Sequence, residues 1–133
     1  MRLLLLLVPL PALLACANGI GPASNLTGRW SAPPLGDNAT LVFNLAQRDG
    51  IITGAGRYTV QVWVDTVQQA GPTYTVAVAG SYQAPAVTLR LQYQEGPGTA
   101  MMFYTGTLQD PQHLAGILNR GGDDFERVTF TRP

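Results

Sequence analysis

From Leu26 onward, apolar and polar side chains alternate with a period of two. Groups of Gly, Pro, Asp and Asn interrupt the alternation about every eight to twelve residues. No stretch sustains the 3.6-residue period of an amphipathic helix. The pattern predicts strands near Leu26–Ser31, Thr40–Ala46, Ile51–Val60, Tyr74–Tyr82, Ala86–Gln94, Met101–Leu108, His113–Asn119 and Arg127–Arg132. Gln61–Asp65 either extends the third strand or forms a short one of its own. Asp49-Gly50 supplies the positive φ angles of a tight hairpin, and Pro85, Gly96-Pro97-Gly98 and Asp110-Pro111 mark further reversals. Links this short imply a meander, and eight meandering strands remove their exposed edges by closing on themselves. The expected fold class is therefore all-β, an eight-stranded antiparallel up-and-down barrel.

Strand phase sharpens that expectation. The inward faces read Leu26, Gly28, Trp30; Leu41, Phe43, Leu45; Ile52, Gly54, Gly56, Tyr58, Val60; Val76, Val78, Gly80, Tyr82; Val87, Leu89, Leu91, Tyr93; Met102, Tyr104, Gly106, Leu108; Leu114, Gly116, Leu118; and Val128, Phe130, Arg132. Glycine beside large inward side chains permits strong coiling and leaves room for neighbouring rings, which favours a small curved barrel over a flat sandwich. Tyr58, Tyr82, Tyr93 and Tyr104 all take the inward phase, and Tyr74 shares the phase of Val76. Buried phenol hydroxyls need partners, so these rings belong near barrel mouths, against one another, or around a ligand. The four inward tyrosines are the ligand-binding candidates. A barrel of this size is either filled by its own side chains or holds one small molecule.

Ahead of the barrel, Arg2 precedes an apolar run from Leu3 to Leu14 that contains Pro9 and Pro11. This is the order of a secretory leader, and the run is shorter than the roughly 20 residues a spanning helix needs. Leu13-Leu14-Ala15-Cys16 at its end resembles the lipobox of bacterial lipoproteins. The resemblance implies a lipoprotein signal peptide over residues 1–15 and lipid attachment at Cys16 (a diacylglyceryl thioether, usually with palmitate or a similar chain on the amine). Residues 16–25 would be the lipidated cysteine and a flexible tether, and residues 26–133 the barrel domain. Ala17 in place of an aspartate implies the outer membrane. The alternative is an ordinary small-x-small cleavage, which discards Cys16 and leaves a secreted or periplasmic soluble product. Cys16 is the only cysteine, so no disulfide within one chain is open to the domain.

Leu26-Thr27-Gly28-Arg29-Trp30 near the start and Arg132 near the end resemble the signature of the calycins, the lipocalins, fatty-acid-binding proteins and avidins. The resemblance implies that Trp30 plugs one end of a calycin-like barrel with Arg132 across its ring, Gly28, Trp30 and Arg132 being the residues of barrel closure. Ile52-Thr53-Gly54 and Val128-Thr129-Phe130-Thr131-Arg132 bring the chain nearest to avidins. Trp63 is the only other tryptophan, and Ser31-Ala32-Pro33-Pro34 follows Trp30, so no ligand-binding residue carries over.

Eight basic residues, all arginine, balance eight acidic ones, which gives no expectation of a nucleic-acid partner. His113 opens a strand in the outward phase, and no serine stands in a nucleophile motif. Asp123-Asp124-Phe125-Glu126 reads as a solvated turn and lacks the spacing of an EF-hand. The expectations are no catalytic residues, no metal and no cofactor: the chain is not an enzyme. What remains is an envelope protein, membrane-bound through Cys16, whose barrel binds a small apolar molecule or lipid. The alternatives are a protein-binding or hydrolase-inhibitor module acting through loops, with Trp63, Val64 and the exposed Ala32–Leu35 loop as anchors, and a structural envelope lipoprotein.

Overall fold

The computed structural model describes Asn25–Pro133. The leader, Cys16 and nearly all of the tether lie outside the described residues. Eight strands follow one another as β1 (Gly28–Ser31), β2 (Thr40–Arg48), β3 (Ile51–Val64), β4 (Val67–Gln83), β5 (Ala86–Glu95), β6 (Gly98–Asp110), β7 (His113–Asn119) and β8 (Phe125–Thr131). Each pairs antiparallel with its sequence neighbours, and β1 meets β8 to close the barrel. The all-β meander read from the alternation is the fold.

The inward phase is also observed. Trp30, Leu41, Phe43, Ile52, Val76, Val87, Leu89, Leu91, Tyr104, Leu114, Leu118 and Phe130 are fully buried. The interior is packed with rings: Phe43 lies 4.7 Å from Phe130, and Tyr104 meets Phe130 edge-on at 5.0 Å. Such contacts add about 0.5–1.5 kcal/mol each beyond burial. Gly106 and Gly116 face each other across β6 and β7. A Cβ on Gly106 would stand 2.8 Å from the Tyr104 ring, so the glycine is what lets that ring lie down along the strand.

Strand ends differ from expectation most in β3 and β4. They run on past the barrel as a two-stranded ribbon: Gln61–Val64 extends β3, the first of the two alternatives for that segment, and Val67–Thr73 precedes the expected start of β4. A register shift between Thr59 and Gln61 reverses the apparent phase there, which makes a continuous strand look like two pieces. The Ala32–Leu35 loop is corrected in part: Leu35 is buried in the core, because Leu35 and Ala39 fold the β1–β2 loop inward while Pro33 and Pro34 remain outside.

Candidate functional site

The two ends of the barrel are built differently. At one end, Arg132 lies over the Trp30 ring, its Cζ 4.6 Å from the ring centroid. Its Nε donates to Pro111 O at 2.6 Å and its Nη1 to Thr27 O at 3.0 Å. Trp30 Nε1 donates to Leu26 O at 2.9 Å, so the buried indole leaves no unmet donor. Gly28 holds a positive φ of 140° directly beside the Arg132 side chain. This end is closed. Burial pulls the Arg132 guanidinium below the ordinary arginine range, with Tyr82 partly opposing.

At the other end, the β1–β2 loop and the β7–β8 turn meet over the mouth. Arg120 joins them. Its nitrogens stand 3.1 Å from Asp37, 3.2 Å from Asp124 and 3.2 Å from Glu126. The Asp37 and Glu126 contacts are Coulombic rather than aligned hydrogen bonds, because three carboxylates crowd one guanidinium. Only Nη2 to Asp124 Oδ1, at 3.4 Å, has hydrogen-bond geometry. Burial alone would lower the pKa of Arg120, but the surrounding carboxylates more than offset it and hold it raised. Glu126 Oε1 also accepts from Gly36 N at 2.6 Å, and Asn38 Nδ2 donates to Gln68 Oε1 at 3.0 Å, which ties the loop to the β3–β4 ribbon.

The tyrosine candidates separate into three places. Tyr58 and Tyr93 come together at the mouth with Tyr74, their centroids 5.1–6.3 Å apart. Burial first, then nearby negative charge, raises the Tyr58 and Tyr93 hydroxyls above the usual phenol range; Asp37 supplies most of that charge at Tyr58. Tyr82 sits at the closed end, where its backbone N–H donates to Gly50 O. Tyr104 lies in the middle, its hydroxyl shared between Leu114 O and Val128 O at 3.0 Å each, and burial raises its pKa strongly.

Beyond the mouth, Gln61–Val64 and Val67–Ala70 pair only with each other, since β2 reaches no further than Thr59 and β5 no further than Val76. At its tip, around a left-handed Asp65, Trp63 is 67% exposed, and Val62, Val64 and Val67 are exposed with it. His113 is exposed, its Nδ1 2.8 Å from Asp110. Among the described residues, no group of three or more His, Cys, Asp or Glu is placed to hold a metal ion.

Arg120 and its loop contacts were not among the expected site residues. Its i,i+4 spacing to Asp124 is visible in the sequence, but Asp37, far away along the chain, is not.

No family model, curated protein or solved structure matches the chain. The reading of its function therefore rests on its own geometry.

Proposed function

We propose that the chain is a lipid-anchored envelope protein whose calycin-like barrel is a rigid stand for a protein-recognition ribbon. The observation that carries this reading is the ribbon tip. A tryptophan two-thirds exposed among three exposed valines is costly to leave in water, and aromatic anchors of this kind dominate protein interfaces. The arrangement of the ends supports it. Asn25 and Leu26 enter at the Trp30 end, so an anchor at Cys16 would hold that end towards the bilayer and turn the ribbon away from it. The Trp30–Arg132 contact supports the calycin-like assignment.

A photo-crosslinking amino acid in place of Val64, in whole cells, is expected to trap one envelope protein. Trp63→Ala should abolish that product, weakening binding by about 2 kcal/mol or more, while the purified variant melts at the wild-type temperature. Crosslinks that are absent, or indifferent to Trp63→Ala, would refute the ribbon as the recognition element. Loss of labelled palmitate in Cys16→Ser checks the anchor separately.

A second reading, a small apolar ligand, is favoured by the Tyr58, Tyr74 and Tyr93 cluster beneath the β1–β2 loop. Native mass spectrometry of protein drawn gently from an envelope fraction tests it: a reproducible extra mass released by denaturation supports a carrier, and a bare mass removes it.

A further inference from the structure

The outer wall of β2 and β3 carries a feature that the ribbon reading does not use. Two concavities, of about 580 and 480 Å³, lie along it. The first is lined by Thr40, Val42 and Asn44 of β2, Ala55, Arg57 and Thr59 of β3, and Arg29 of β1. The second continues along the next outward positions of the same strands, Ala46 and Arg48 facing Thr53 and Ile51. The two lie end to end along β2 and would make one groove for a chain that spans both, about 27 Å at 3.4 Å per residue.

Its charge is one-sided. Arg29, Arg48 and Arg57 line it, and Asp49 in the terminal turn is its only carboxylate. Among the described residues, none of the three guanidiniums lies within ion-pair distance of an acid, whereas Arg120 takes three. A chain of zero net charge has thus left three arginines without acidic partners on one wall. Register sets their order. Arg57 lies opposite Val42 and Arg29 opposite Asn44, two residues further along β2, and Arg48 follows four residues on. The axial steps are about 7 and 14 Å. Spacing of this kind suits repeated anionic groups on an extended chain better than one compact ion. Between the arginines stand threonine hydroxyls and the Asn44 amide, partners for sugar hydroxyls. No aromatic side chain lines the groove, so it offers no platform on which nucleic-acid bases could stack.

We propose that this groove binds a linear anionic glycan, its carboxylate, sulfate or phosphate groups on Arg57, Arg29 and Arg48 and its hydroxyls on Thr40, Asn44 and Thr59. The site is independent of the ribbon. The full chain, as the cell processes it and held in detergent, is titrated by NMR and calorimetry with oligogalacturonate, dextran sulfate, neutral dextran and oligothymidylate. One of the two acidic glycans should bind and shift β2 and β3 amides, the stronger of them telling carboxylate from sulfate. Added salt should weaken it. Arg29→Gln with Arg57→Gln should lower affinity at least about tenfold, as expected for losing charge-assisted hydrogen bonds. Arg90→Gln with Arg127→Gln, on the outside of β5 and β8, should not. Ala55→Glu keeps every arginine and should abolish binding by placing a carboxylate on the groove floor, which guards against a folding defect in the double variant. No binding of either acidic glycan, binding unchanged in the double variant and in Ala55→Glu, equal binding of neutral dextran, or tighter binding of oligothymidylate would overturn the proposal.

Discussion

Each end of the barrel is organised by an arginine, and the two are used in opposite ways. Arg132 takes neutral partners, two backbone carbonyls and an indole face. Arg120 takes three carboxylates from a loop, a turn and a strand, at longer distances and poorer angles. Neutral partners leave a net positive charge over a packed ring, so Arg132 acts as part of the core. Two of the three carboxylates, Asp37 and Asp124, are half open to water, which screens their contacts, so Arg120 acts as a clasp. One end is held by packing, and the other by charges that water reaches.

The sharpest way to break that contrast is to empty the closed end. Trp30→Ala should cost about 3–5 kcal/mol, the range for large aromatic truncations in a core, and thermal melting would show a fall across the whole barrel. If the protein melts normally, the closed end is not the structural anchor. At the mouth, Arg120→Ala should cost about 1–2 kcal/mol, because the contacts are partly solvated. The effect should stay local: amide exchange should quicken in the loop around Gly36 and the turn after Arg120, with the Trp30 end unchanged. A global change would erase the distinction between clasp and core.

The smallest effect concerns Tyr104. Its hydroxyl is shared by two strand carbonyls, and Tyr104→Phe should cost about 1 kcal/mol at neutral pH. The pH dependence follows from sign. Burial raises the folded-state pKa of Tyr58, Tyr82, Tyr93 and Tyr104. Their neutral forms therefore favour the fold fully below the unfolded value near 10, and that stability is lost as pH rises beyond it. Melting temperature should drop above about pH 10, less steeply in Tyr104→Phe. An unchanged alkaline limb in that variant would show that its hydroxyl is not held neutral by burial.

Which side chains point inward was legible from the alternation alone, since a period of two fixes phase with no knowledge of neighbours. Height along the barrel was not. Tyr58, Tyr82, Tyr93 and Tyr104 look equivalent in phase, yet register distributes them between mouth, middle and closed end. The ribbon was obscured where the irregularity after Thr59 reverses the alternation and where Gln68-Gln69-Ala70-Gly71 carries little strand propensity. Leu35 escaped because two prolines beside it read as a solvated loop, and nothing local shows that the loop turns back over the mouth. The Arg120 clasp depends on Asp37, whose approach only barrel closure brings about.

Closure itself has an entropic cost that the side chains offset. Every other ladder joins strands separated by eight residues or fewer, whereas β1 and β8 meet through Ser31 and Thr131, 100 residues apart in sequence. In an otherwise unfolded chain, where loop-closure entropy grows logarithmically with length, joining ends about 100 residues apart rather than about 4 costs roughly 3 kcal/mol more. One backbone register pair cannot offset that. The deficit is met across the seam by Arg132 reaching Thr27 and Trp30, and by Phe43 of β2 packing on Phe130 of β8 past the short first strand. The ring is fastened by side chains where its backbone ladder is shortest.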